Sequence, residues 1–304
     1  MNNENRRVLF SYLAVCFFWG STYLAIRIGV KDFPPFMFAG IRFITAGGLT
    51  IIYSKLKGKS FTNNKKDIAK TSIVGLLMLL GGNGLVVYAE QWVHSGIASL
   101  LVATVPLFMA IVEIFVLRYK KMDYKGFIGL AIGFAGVAYL ALGDSSLAII
   151  DFKGTLLLLL ASFFWSIGSV YSKTFKSSGT IISNIGIQML AGGLGLFTVG
   201  LLMGEISRAQ FTKNSVLAML YLIVFGSIIG YSCYIYVLAK WPASKAGTYA
   251  YVNPVVAVIL GAIVLDEPFT LSVVMSMLII ILGVFMVQRA KIEDTKEEVN
   301  EKVS

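Results

Sequence analysis

Apolar runs of about twenty residues recur along this chain, and a run of that length crosses a roughly 30 Å hydrocarbon core as a helix. Read in order, the first half offers candidate spans at Val8–Arg27, Pro34–Ser54, Ala69–Ala89, Gly96–Leu117 and Tyr124–Leu142. The second half offers Gly154–Lys173, Ile181–Met203, Val216–Leu238, Ala243–Leu265 and Thr270–Val287. Lipid gives an unpaired backbone no partner, so only helices or closed barrels can span it. The runs are too long and too continuous for barrel strands, which alternate and cross in about ten residues. The expected fold class is therefore all-α: a membrane protein with ten transmembrane helices. Composition agrees, with 57% hydrophobic residues and 14% charged residues, against about a quarter charged in an ordinary soluble domain.

A net charge of +10 would suit a nucleic-acid partner if the basic residues were clustered for one. They are sorted by side instead. With the amino terminus in the cytoplasm, 20 of the 26 Lys and Arg fall on the inner side, and only Lys31, Lys153, Arg208 and Lys213 fall outside. That asymmetry is the positive-inside rule. It predicts a multi-pass protein of the cell membrane with both termini cytoplasmic, Ser146 external and Ser177 internal, and no nucleic-acid partner. The first run is too long for a cleaved leader and "CFFWGSTYL" has no small-residue cleavage site, so it reads as a working span. Cys16 and Cys233 both lie within spans, which indicates neither a disulfide framework nor a metal site. The charged, aromatic-free segment 289–304 reads as a solvated cytoplasmic tail.

The chain also writes itself twice. "FFWGSTYLAIR" (Phe17–Arg27) is matched by "FFWSIGSVYSK" (Phe163–Lys173), 146 positions later. "SGIASLLVATVP" (Ser95–Pro106) answers to "ASKAGTYAYVNP" (Ala243–Pro254), and "TAGGL" at Thr45 answers to "LAGGL" at Leu190. Residues 8–142 and 151–288 thus form two five-helix repeats. Five is odd, so the second copy enters the membrane from the opposite side. Inverted repeats of this kind place a substrate site near the midplane between the halves and permit alternating access. Arg27 and Lys173, the basic ends of the doubled helix, are expected to snorkel to opposite interfaces.

The doubled opening, the Arg within "AGIRFITAGG", "ATVPLF" and "YVNPVVAVILGAIVLDEPFT" together resemble the EamA-type branch of the drug/metabolite transporter superfamily, over essentially Val8–Val287. The resemblance implies export of amino acids, other small metabolites or drugs. The Glu that usually ends the fourth and ninth helices of the family is Glu267 in the second copy. The matching position in the first copy is Tyr119, which removes any symmetric role for that Glu.

Arg42 lies eight residues past Pro34, roughly 12 Å into its span at 1.5 Å per residue. A charge that deep faces a bundle interior or an aqueous cavity. It is expected to anchor a substrate carboxylate or to belong to a gating ion pair, against a purely structural pairing. Its inverted counterpart falls near Gln188, which is uncharged. Trp19 and Trp165 fall mid-span, away from the interfaces where tryptophan is enriched. With Thr22, Tyr23, Asn83, Tyr231, Tyr234, Tyr251 and Asn253 they are expected to wall the cavity. Pro106 and Pro254 are expected hinges, because each removes a backbone donor from its helix. Gly81, Gly82 and Gly84 are expected to loosen the third span, and Gly226 and Gly230 the eighth. Glu90 and His94 read as residues of a solvated outer connection, with gating or coupling as the alternative. Glu113 is balanced between proton carriage and snorkelling.

No filter-like ring of carbonyls or charges points to a channel. The single His, the lack of HExxH and the lack of a phosphate-cradling glycine loop disfavour an enzyme or an ATP-driven pump. The function expected is a secondary transporter exporting small metabolites such as amino acids by alternating access, with efflux of drugs or toxic compounds as the alternative. No cofactor is expected. The expected partners are a small-molecule substrate, the bilayer and, as an open option, a second copy of the chain.

Overall fold

The computed structural model describes residues 3–116, 120–142, 152–267, 270–289 and 292–294. Tyr119, Ser146, the start of the second repeat at Asp151 and most of the charged tail lie outside these described residues. Among the described residues, eight helices are long and apolar enough to cross a membrane: α1 (Asn3–Gly29), α2 (Pro35–Leu56), α3 (Lys65–Ala89), α4 (Ser95–Ile114), α6 (Phe152–Tyr171), α7 (Ile181–Leu202), α8 (Lys213–Lys240) and α9 (Gly247–Leu265). Two further helices, α5 (Tyr124–Leu142) and α10 (Leu271–Arg289), close the two repeats. Their apolar stretches are shorter, at 124–140 and 271–287. The chain is a multi-pass membrane protein, and its described residues are helical in their regular structure apart from one small antiparallel pairing of Lys120–Met122 with Ile292–Asp294.

Local sequence sets the helix starts. Pro34 and Pro35 open α2, where the fixed φ of proline suits a first turn and its missing N–H costs nothing. Thr180 and Thr212 cap α7 and α8, their hydroxyls accepting from the Ser183 and Ser215 N–H groups. Glycines set the tightest packing. α2 lies against α7 so closely that a Cβ on Gly193 would sit 2.7 Å from the Ile44 nitrogen. α5 lies against α10 through Gly129, Gly133 and Gly136, with Gly283 opposite. Small residues permit such approach in a membrane, where helices gain from dispersion contacts rather than from leaving water.

The expected irregularities fall at equivalent places in the two copies. α3 carries a π-helical stretch at Leu76–Gly84 and α8 one at Leu222–Tyr231, holding the glycines read from the sequence as loosening elements. α4 breaks at Ala103–Thr104 and restarts at Val105, with Pro106 in its first turn. α9 starts as a 3₁₀ turn at Gly247–Tyr251 and becomes α-helical at Asn253, with Pro254 in its first turn. π-stretches and proline breaks free backbone groups and widen the helix locally, which is how spans bend around a site.

One end of the bundle is tied by acidic caps. The Glu205 carboxylate, beyond α7, accepts from the Met37 N–H at the start of α2 (2.8 Å). Glu267, beyond α9, accepts from the Ser95 N–H (2.9 Å), the Ser95 hydroxyl (2.8 Å) and the Gly96 N–H (3.1 Å) at the start of α4. Burial pushes the Glu267 carboxyl up, but His94 and the Ser95 and Gly96 donors outweigh that and hold it at about 2. Donors at a helix start have no partner within the helix, so a carboxylate there satisfies them and the positive end of the helix dipole together.

Candidate substrate site

A cavity lies where α1, α2, α3 and α4 of the first repeat meet α6, α8 and α9 of the second. The expected residues Trp19, Thr22, Tyr23, Arg42, Asn83, Trp165, Tyr231 and Asn253 all line it. Tyr234 packs behind the wall against Trp19 and Trp165, with ring centroids at 5.1 and 5.5 Å. Tyr251 lies outside the lining, partly buried beside the second cluster of core residues.

The helix irregularities supply the space. The Gly226 carbonyl, inside the π-stretch of α8, accepts from the Trp19 indole N–H at 3.0 Å and fixes that ring. A side chain at Gly226 would collide with the Arg42 guanidinium, so the glycine leaves room for the cation. Asn253 stands at the restart of α9. In the amide orientation that satisfies its partners, its nitrogen donates to the Tyr249 and Cys16 carbonyls at 3.2 Å each.

Four rings cluster at one side of the cavity, Trp19, Trp165 and Tyr249 in its lining and Tyr234 behind them. Trp19 meets Trp165 edge to face at 5.3 Å and Tyr249 at 4.9 Å, and Tyr234 and Tyr249 meet at 5.4 Å. The Tyr234 hydroxyl lies 2.9 Å from the Ser169 hydroxyl. Edge-to-face contacts add about 0.5–1.5 kcal/mol each beyond area burial, enough to hold a wall and small enough to part.

The polar groups do not close on one another. Arg42 is 3% exposed. Its Nε donates to the Ser227 hydroxyl at 2.8 Å and its guanidinium lies 4.5 Å from the Phe43 ring centroid, but Nη1 has no hydrogen-bond partner among the described residues. The Asn83 Oδ1 acceptor is equally unsatisfied. The Trp165 indole N–H lies near the Tyr234 and Tyr249 hydroxyls without a well-formed hydrogen bond. A buried donor left unsatisfied costs about 1–3 kcal/mol, and more when charged. A cation, an acceptor and aromatic faces thus converge on one space with unused bonding capacity.

Gln188 departs from the symmetric picture. It donates nothing to the cavity; its Oε1 accepts from the Tyr231 hydroxyl at 2.9 Å, and it lies outside the lining. The wall residues Val86, Val102, Ala161 and Ser162 carry no chemistry that would mark them in advance, while Gly82 and Gly226, expected as loosening elements, line the cavity as well.

The gating candidates separate. Glu90 is not on a solvated connection: it is fully buried, and neither carboxyl oxygen has a hydrogen-bond partner among the described residues. The turn carrying it is polar in sequence, but the side chain is buried in the bundle, and the Arg27 guanidinium donates to the Glu90 main-chain carbonyl. His94 remains partly exposed, 3.8 Å from Glu267. Glu113 is buried in a π-turn at the far end of α4, away from the cavity lining. Arg27 and Lys173, the basic ends of the doubled helix, both donate to main-chain carbonyls. Lys173 Nζ donates to the Leu238 carbonyl at 2.7 Å and to the Trp241 carbonyl at 3.0 Å.

Comparison with known proteins meets this architecture at each level. A family model described as "EamA-like transporter family" matches twice, over residues 6–142 and 152–289. The inner membrane transporter YedA of Escherichia coli (strain K12) is 39% identical over 250 residues, covering 82% of this chain and 79% of that protein. The transporter YoaV of Bacillus subtilis (strain 168) is 30% identical over 283 residues, covering 92% and 96%. A solved crystal structure superposes with a TM-score of 0.67 over 93% of this chain and 97% of its own, at 18% identity, which speaks for the fold alone. With two five-helix units, a cavity between them and both halves matched, the chain belongs to the EamA-like transporter family.

Proposed function

We propose that this transporter exports small zwitterionic metabolites such as amino acids by alternating access, with the cavity between the repeats as its substrate site. The observation that carries the reading is the pair of unused polar atoms in that space, Arg42 Nη1 and Asn83 Oδ1. A substrate carboxylate would satisfy the first and a substrate ammonium the second, with the side chain against Trp19 and Trp165. Charge-assisted bonds of that kind are roughly twice as strong as neutral ones. The four-ring wall favours a second reading, efflux of bulky aromatic compounds, in which ring stacking replaces the zwitterion's polar contacts.

Counterflow of radiolabelled amino acids into liposomes holding purified protein separates the two. Amino-acid exchange that disappears in Arg42→Gln supports the first reading. Exchange of aromatic cations with no dependence on Arg42 supports the second. The membrane in question is the cell membrane, in keeping with the inner-membrane naming of YedA, and the Lys/Arg sorting puts both termini inside. A cysteine at Ser177 should then label only from the cytoplasmic side, and one at Ser207 only from outside. The opposite pattern would overturn the orientation.

A further inference from the structure

The sequence repeat pairs Arg27 with Lys173 at an offset of 146, and pairs Glu90 with Leu238 at the offset of 148 that aligns Ser95–Pro106 with Ala243–Pro254. The structure joins these same partners. Arg27, at the end of α1, donates to the carbonyl of Glu90 at the end of α3. Lys173, just past α6, donates to the carbonyl of Leu238 near the end of α8. The same bond is made twice, once in each repeat, at opposite ends of the bundle.

The packing gives the two bonds their meaning. α1 leans on α8 and α9, and α6 leans on α3 and α4; α1 with α3, and α6 with α8, share little packing of their own. The cavity lies between these loosely apposed pairs, lined by Trp19, Asn83, Trp165 and Tyr231 among others. Each basic side chain therefore bridges a pair at one mouth of the cavity. Its acceptors are carbonyls of a helix's last turn, which have no partner within the helix and sit at the negative end of the dipole. A cation satisfies them, and water can replace it at modest cost when the mouth opens.

We propose that Arg27 and Lys173 are the paired latches of the two gates, each holding one mouth of the cavity shut by capping the helix across it. This rests on the alternating-access reading. Opening toward one side requires release of one latch while the other holds, and both bonds are made in this structure. Neither residue touches the substrate; they position the helices that enclose it.

The test places one cysteine in the cavity wall, Ser162→Cys in a Cys16→Ala, Cys233→Ala background, and labels it with a membrane-impermeant maleimide in right-side-out and inside-out vesicles. Losing a charged hydrogen bond shifts a two-state balance by about tenfold. Arg27→Ala should raise the labelling rate by about that factor from one side, and Lys173→Ala from the other. Arg27→Lys and Lys173→Arg keep a donor and should label as the parent does. If the alanine chains do not reach the membrane, Arg27→Met and Lys173→Met, which lack a donor, carry the same expectation. Labelling unchanged in both latch variants, or shifted toward the same side in both, overturns the proposal. The readout needs no substrate, so absent counterflow would sink the transport reading while leaving the latches to be judged by labelling alone.

Discussion

The two repeats share their scaffold and divide their chemistry. Each has a π-helical stretch in its third helix, a proline break in its fourth and a mid-span tryptophan in its first. At the site itself they part. The first repeat sends Arg42 into the cavity with bonding capacity unused; the second holds Gln188 back against Tyr231. On the proposed alternating-access reading, inversion symmetry would serve two conformations of matched shape through backbone features. Recognition on that reading needs one substrate pose, and a single cation would fix it better than two competing ones. Within the cavity, shape is duplicated, while charge is not.

The sharpest way to break this comparison is to exchange the roles. Arg42→Gln should weaken substrate binding by about 10–100-fold, the range for a lost charge-assisted contact. Arg42→Lys should fail nearly as badly, because an ammonium cannot reproduce the planar fork. Gln188→Ala should change affinity little, and equal losses at both positions would show that the chemistry is as symmetric as the shape. Trp19→Ala removes one half of the doubled aromatic wall and should weaken binding about tenfold, or admit larger substrates. Competition by a size series of amino acids reads either result.

Pro106→Ala and Pro254→Ala restore a donor to each broken helix and should slow exchange several-fold with little change in half-saturation. Wild-type rates in both variants would mean that the breaks serve packing. The smallest effect is expected at Glu267, the cap that only the second repeat shows among the described residues. Glu267→Gln should cost about 1–2 kcal/mol of stability, in line with lost helix caps. The Glu267 carboxyl is held at about 2, below its ordinary 4.5. Its contribution is therefore complete above pH 4.5 and fades as the pH falls toward 2. Thermal unfolding of wild type and Glu267→Gln in detergent should converge across that window, and a constant gap would assign the effect to another cause.

Much of this was legible in the sequence because the relevant signals are local or repeated. Run length marks the spans, the recurrence of Phe-Phe-Trp marks the repeat, and Pro106 and Pro254 announce breaks wherever they are placed. Arg42 and Trp19 stood out by depth alone. What escaped were long-range main-chain partners. Nothing in the sequence says that Arg27 will cap a carbonyl 63 residues away or Lys173 one 65 residues away, since a carbonyl has no identity to read. Glu90 was misread for a related reason. "YAEQWVHSG" has the polarity of a solvated turn, and only the tertiary packing that buries Glu90 decides otherwise. The caps by Glu205 and Glu267 likewise depend on helix starts more than 160 residues distant.

Two of the chain's four tryptophans meet edge to face in the cavity wall, one from each repeat, 5.3 Å apart. Any motion that parts the repeats must separate these indoles and change the polarity around both. Half of the protein's strongest intrinsic fluorophores thus report on a single distance. The molecule carries its own optical gauge of cavity opening, readable in unlabelled protein before any substrate is known.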